Sequence, residues 1–176
     1  MSRGKNIEIF KDTEKLCRTN PVLIQGWKES SANQKLILEN EAIACEKQIY
    51  EKSTRIVVSR KRTFEAATSA EYSGKKVAVL NFASASNPGG GVVNGSSAQE
   101  ECLCRCSTLY YNLTEDYMWK NFYLPHRHQV NPIHNDDLIY TPDVVIFKSD
   151  TVYPRFMPEK KKKKVNVITC AAPNLR

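Results

Sequence analysis

At 176 residues, 41% hydrophobic and 26% charged, the sequence has an ordinary globular composition and the length of one domain with a real core. No apolar stretch approaches the roughly 20 residues of a membrane helix, and the opening MSRGKNIEIFKDTEKLC lacks the apolar region of a secretory signal, so a cytoplasmic location, or a nuclear one in a nucleated source, is expected. The net charge of +7 falls to +2 once Lys160–Lys164 is set aside, so charge alone does not argue for a basic nucleic-acid groove.

The N-terminal segment, residues 1–50, reads as helical. Ile9, Phe10, Thr13, Leu16 and Cys17 recur at helical spacing, and Leu36, Ile37, Ala42, Ile43, Cys45 and Ile49 do so less cleanly, with Asn20-Pro21 as the break between two helices. Ile56-Val57-Val58 is a short β-branched run, and Phe64 to Ala70 a short alanine-rich helix. A core then spans residues 75–113. It opens with the strand Val77 to Phe82, apolar at consecutive positions as in a strand covered on both faces. It continues through a glycine loop and closes with a helix over Gln99 to Leu113, with Leu103, Cys106, Leu109 and Tyr110 on one face. Tyr117, Trp119, Phe122, Tyr123 and Leu124 form an aromatic-rich short helix or packed loop, read as core packing rather than as a base-stacking platform. Strands at Asp143 to Phe147 and Val165 to Cys170 close the chain within residues 138–172, with Lys160–Lys164 as a solvated loop between them. No internal repeat or linker interrupts the pattern, so residues 1–176 form a single α/β unit.

Six cysteines do not make a disulfide framework here. Cys17, Cys45 and Cys170 are scattered, while Cys102, Cys104 and Cys106 crowd one helix without the pairing of a zinc site. They read as small buried hydrophobes. His126, His128 and His134 lack acidic or thiolate partners at helical spacing, so no metal is assigned to them.

The most informative stretch is NFASASNPGGGVVNGSSAQEE, Asn81 to Glu101. Three successive glycines, Gly89, Gly90 and Gly91, let the backbone approach a ligand closely because no Cβ intervenes. Their N–H groups can form an anion-binding concavity, and the helix N-terminus beside it adds a favourable dipole. Glu100 and Glu101 fall in that first helical turn. They are either dipole partners or a positioned acid and base, and the choice decides whether the chain is an enzyme.

Seven residues separate the triple glycine from Gln99-Glu100-Glu101, and with this ordered pair the chain resembles the microbial-type poly(ADP-ribose) glycohydrolases, a branch of the macrodomain superfamily. NFASASNPGGG, LIYTPDVVIFK (residues 138–148), the terminal VITCAAPN and the opening RGKNIEIFKDTEKL are also similar to that family, so the matches run along the whole chain. The resemblance implies a three-layer α/β/α macrodomain-like fold on a mixed, largely parallel sheet, incomplete at its C-terminus. It implies poly(ADP-ribose) or ADP-ribosylated proteins as partners, hydrolysis of the ribose–ribose O-glycosidic bond, and no metal or other cofactor. It further implies Glu101 as the general acid/base and Glu100 as the residue that holds the ribose of the reacting bond. Gly89, Gly90, Gly91 and Gln99 would shape that pocket, with Asn87 helping to position the ribose. The family's second glycine-rich loop, which wraps the pyrophosphate, has no counterpart among Gly4, Gly26, Gly74, Gly89, Gly90, Gly91 and Gly95, so the chain corresponds to the N-terminal part of the family's domain. Two further readings stay open beside the hydrolase: a module that binds ADP-ribose without turnover, and an inactive remnant. A nucleic-acid binder built on Lys160–Lys164 and the aromatics leaves the glycine and glutamate pattern unexplained.

Overall fold

The structure, a computed structural model, describes residues 1–41, 53–129, 131 and 133–172. Ala42, Ile43, Cys45 and Ile49 of the expected second helix, and Pro173 and Asn174 of the terminal segment, lie outside the described residues.

Helix α1 (Arg3–Thr19) starts at Ser2, whose hydroxyl accepts from the Lys5 N–H, and buries Asn6, Phe10, Thr13 and Cys17 on one stripe. Asn20 both ends α1 and caps α2 (Pro21–Ala32), its Oδ1 accepting from the N–H groups of Val22 and Leu23 at 3.0 and 3.3 Å. Pro21 occupies the first helical position, where its missing N–H costs nothing. Leu36 and Ile37 are not helical: Lys35–Ile37 is strand β1, fixed by antiparallel pairing to a distant strand rather than by local period. Ile56 and Val58 are 86% and 94% exposed and join no strand. A short helix α3 (Thr63–Ala67) follows, its Phe64 N–H capped at 3.0 Å by the Asp150 carboxylate.

Strand β2 (Ala78–Ala83), helix α4 (Gln99–Cys106) and helix α5 (Leu109–Leu113) form the centre. The expected single helix over residues 99–113 is broken at Ser107 and Thr108. There the chain end of α4 docks onto β3 (Leu138–Ile146): the Cys106 carbonyl accepts from the Phe147 and Lys148 N–H groups, and the Thr108 N–H donates to the Val145 carbonyl. Helix α6 (Asp116–Met118), a π-helical turn (Trp119–Tyr123) and α7 (Leu124–His128) carry the aromatics, with Phe122 and Tyr123 fully buried and Tyr117 60% exposed. Strand β4 (Lys163–Ala171) completes a four-stranded sheet ordered β1-β3-β4-β2. The sheet is mixed, as expected. Its parallel share is smaller than the sequence implied, because of the three pairings described only β2 with β4 is parallel.

Burial also differs along the strands. At the end of β3, Val144 and Ile146 enter the main core while Val145 and the following Phe147 pack with Cys17 and Leu23, so alternate residues face two apolar clusters. Strand β2 alternates instead: Val79, Asn81 and Ala83 are buried, whereas Leu80 and Phe82 stand 43% and 60% exposed. Coverage on both faces therefore holds for the end of β3 and not for β2. The lysine run is not a free loop either. Lys162 pairs with Glu159 and lies 4.7 Å from the Phe156 ring centre, Lys163 donates to the Ser69 carbonyl, and Lys163 and Lys164 open β4. Five described cysteines are free thiols, and burial pushes Cys17 up to about 12 and Cys104 and Cys106 well up, in keeping with inert core residues.

Leu103 is fully buried at the middle of α4 and holds that helix on the core. Replacing it with Ala removes the transfer energy and leaves a cavity, so Leu103→Ala lowers the free energy of unfolding by about 2–5 kcal/mol in urea titrations.

Candidate active site

The chain leaves β2 at Ala83 and doubles back through Asn87 to the glycines. The turn is closed by hydrogen bonds from the Gly90 N–H to the Asn87 carbonyl and from Val92 to Gly89. Gly90 adopts a φ of 59°, a left-handed conformation that other residues resist. A Cβ built there would stand 2.6 Å from Glu101 Oε1 and 3.0 Å from Glu100 Oε2. The loop therefore reaches both carboxylates only because it carries no side chain at this point.

Both glutamates lie in the first turn of α4, at the end of the helix where negative charge is favoured. Glu100 is 3% exposed. Its Oε2 accepts from the Ser84 N–H at 2.8 Å and its Oε1 from Asn81 Nδ2 at 3.4 Å, and Asn81 is steadied in turn by Thr169. Burial raises its carboxyl from the ordinary 4.5 to about 7, with neighbouring Glu101 adding to the rise and the two hydrogen bonds opposing it. Glu101 is 7% exposed; Oε1 accepts from the Gly91 N–H at 2.9 Å, and Oε2 is buried with no hydrogen-bond partner among the described residues. A carboxyl held by one oxygen and free at the other can exchange a proton with a bound molecule.

A cavity of about 260 Å³ opens over this pair, lined by Phe82 to Ser86, Gly90, Ala98, both glutamates, His134 and Ala172. It sits beyond the C-terminal ends of the parallel strands β2 and β4, where open α/β sheets place ligands. Of the residues singled out in the sequence, Glu100, Glu101 and Gly90 are thus brought together on one wall. Gly89 and Gly91 build the turn behind them. Gln99 points elsewhere: its amide donates to the Leu80 carbonyl at 2.7 Å and accepts from the Phe82 N–H at 2.9 Å, a two-way latch on β2, the edge strand among the described residues. Asn87 is exposed, with its Oδ1 accepting from Arg127 Nη2 at 2.7 Å, and Arg127 stacks 4.9 Å over the Trp119 ring.

His134, weighed in the sequence only as a metal ligand, is the cavity residue that the sequence did not place. It lines the cavity with a φ of 62°, unusual for a non-glycine residue, and packs edge-on at 5.6 Å against buried His126. Burial, with His126 beside it, lowers its pKa below 6.5. Among the described residues no group of three His, Cys or carboxylate side chains is arranged to hold a metal ion.

The raised carboxyl of Glu100 has a consequence for stability. The folded chain holds its proton up to about 7 whereas an unfolded chain releases it near 4.5, so folding is favoured at low pH and this contribution is lost as pH rises through that window. The span corresponds to roughly 3 kcal/mol. Glu100→Gln removes the effect: its unfolding free energy, measured in urea at pH 5 and pH 8, gains on the native chain by up to about that amount at the higher pH.

With this geometry in place, comparisons with known proteins agree. The sequence profile of the family described as microbial-type PARG, catalytic domain, matches residues 3–149. The X-ray structure of poly(ADP-ribose) glycohydrolase from Thermomonospora curvata superposes with a TM-score of 0.80 at 30% identity, over 96% of this chain and 64% of that one. The same enzyme bound to the inhibitor ADP-HPD gives 0.76 at 31% identity, over 96% and 63%. The enzyme from Deinococcus radiodurans in complex with ADP-ribose gives 0.67 at 31% identity, over 84% and 59%. No curated protein matches the sequence. The chain spans slightly less than two thirds of the length of these solved relatives. It belongs to the family of microbial-type poly(ADP-ribose) glycohydrolase catalytic domains.

Proposed function

We propose that this chain hydrolyses the ribose–ribose O-glycosidic bonds of poly(ADP-ribose), with Glu101 as general acid and base. The observation that carries this reading is Glu101 itself, a residue of the cavity wall fixed through Oε1 by the Gly91 N–H while its Oε2 is buried with no hydrogen-bond partner among the described residues. Cleavage of a glycosidic bond develops oxocarbenium character on the sugar while the departing oxygen needs a proton. The Glu101 carboxyl delivers that proton to the leaving ribose oxygen. The resulting carboxylate then takes a proton from water as its oxygen bonds to the anomeric carbon, and the acid is restored.

Glu100 is not the nucleophile of a paired-carboxylate glycosidase. Neighbours on a helix point about 100° apart, and both Glu100 oxygens already accept from the protein. Each oxygen keeps a further lone pair, so Glu100 serves to accept hydrogen bonds from the hydroxyls of the ribose. Gly89, Gly90 and Gly91 admit that ribose against the backbone, and Gln99 and Asn87 act on the pocket indirectly, through the β2 edge and through Arg127. The molecules bound in the similar structures, ADP-HPD and ADP-ribose, fit this substrate class. Because the chain spans only 63–64% of the Thermomonospora structures, recognition of ADP-ribose without turnover is the competing reading.

The deciding experiment measures release of ADP-ribose from poly(ADP-ribosyl)ated protein. The native chain releases it, and Glu101→Gln, which keeps shape and loses the titrating proton, is slower by about 10²–10⁴ with its fold retained. Equal release by both proteins overturns the assignment of Glu101. A folded native chain that binds ADP-ribose but releases none overturns the hydrolase in favour of the binding module.

A further inference from the structure

A second cavity, of about 230 Å³, lies between α1, the start of α3, α4 and the segment after β3, and its wall includes Asn6, Arg62, Cys102, Arg105, Asp150 and Thr151. Ser97 lines it too, and the adjoining Ser96 N–H donates to the Gly91 carbonyl of the glycine loop.

Arg105 is 3% exposed, and no carboxylate of the described residues lies within ion-pairing distance of it. A buried charge with no counter-ion is costly. Two hydrogen bonds to the protein are made by its guanidinium: Nη1 donates to the Ser96 carbonyl at 2.6 Å and Nη2 to Cys102 Sγ at 3.1 Å. Arg62 aims at the same sulfur, with Nη2 at 2.8 Å. Two guanidinium groups thus converge on a thiol sulfur, one of the weakest acceptors a protein offers. Asp150 does not answer the need. One of its oxygens is taken by Arg62 Nε at 2.7 Å and the other by the Phe64 N–H, so its charge is already matched. On the same wall Asn6, 2% exposed, spends its Nδ2 on the Gly95 carbonyl, and its Oδ1 is buried without a partner among the described residues.

Converging guanidinium groups with unspent donors, together with a buried acceptor that lacks a donor, describe the complement of an oxyanion that also carries an O–H. We propose that this cavity binds a phosphate group, free or as a phosphomonoester, gripped by Arg62 and Arg105 and donating its own hydroxyl to Asn6. Arginine forks match phosphate oxygens in pairs, which a thiol cannot do. The site is separate from the glutamate cavity and does not depend on the reaction proposed there.

The test is calorimetric titration of the full chain with inorganic phosphate and, separately, with glycerol 3-phosphate. The native chain binds one or both with a Kd of about 1 mM or tighter. Arg62→Lys, which keeps the charge and loses the fork, binds at least about tenfold more weakly. In the native chain the same anion slows alkylation of Cys102 by iodoacetamide and leaves the rate at Cys170 unchanged. The better of the two ligands tells whether a free or an esterified phosphate is preferred. Binding of neither anion overturns the proposal, as does binding that Arg62→Lys leaves unaltered. If Arg62→Lys does not fold, as judged by circular dichroism, the Cys102 protection decides: binding without protection places the anion elsewhere and overturns the site.

Discussion

The contact on which the rest of the site depends is the meeting of the Gly90–Gly91 backbone with the carboxylates of Glu100 and Glu101. Two acids that share one helical turn and are almost fully buried are a costly arrangement, and at Glu100 burial, with Glu101 beside it, disfavours the charged form. The structure offsets this with backbone N–H groups, from Ser84 to Glu100 and from Gly91 to Glu101, and with the helix N-terminus itself. The close passage of the loop over the pair needs glycine at residue 90, because a Cβ there would crowd both carboxylates. Glycine is thus what allows the loop to be a ligand of the acids. The two acids differ as a result: Glu100 has both oxygens engaged and is held as a fixed part of the wall, while Glu101 is held through Oε1 alone.

The fold keeps that contact in place from three sides. Below, Leu103 anchors α4 in the core, and the Gln99 amide clasps the edge of β2 in both directions, so the first turn of the helix cannot slide along the strand. From α1, Asn6 holds the Gly95 carbonyl and Thr13 donates to the Arg105 carbonyl at 2.6 Å, tying the segment between the glycines and α4 to the N-terminal helix. Buried Lys148 fastens the end of β3 to the same helix through Asp12, Thr13 and the Ile9 carbonyl. The first helix is therefore part of the support of the site, although it lines none of the glutamate cavity.

What the sequence disclosed and what it hid divide along the range of the forces involved. The glycine turn, the Asn20-Pro21 boundary and the stripe of α1 are fixed by local chemistry, and each stands where the residues place it. Strand β1 was illegible because Leu36 and Ile37 also suit a helix, and only pairing with Ile139 and Leu138 decides otherwise. The break after Cys106 has no glycine or proline to announce it; it arises because the Cys106 carbonyl is claimed by the chain beyond β3. The family resemblance groups Gln99 and Asn87 with the glutamates, yet their side chains serve the strand edge and Arg127. His134 reaches the cavity from a distant loop, and a lone histidine in a polar stretch carries no local mark of that position.

In the proposed hydrolysis, Oε2 of Glu101 faces the reacting glycosidic oxygen. The most direct measurement is a crystal structure of the Glu101→Gln chain soaked with a short ADP-ribose oligomer. The expected result has ribose hydroxyls on Glu100 and the bridging ribose oxygen within about 2.6–3.2 Å of the former Oε2 position. An oligomer bound with that bridging oxygen remote from residue 101, or seated outside the glycine-loop cavity, would contradict it.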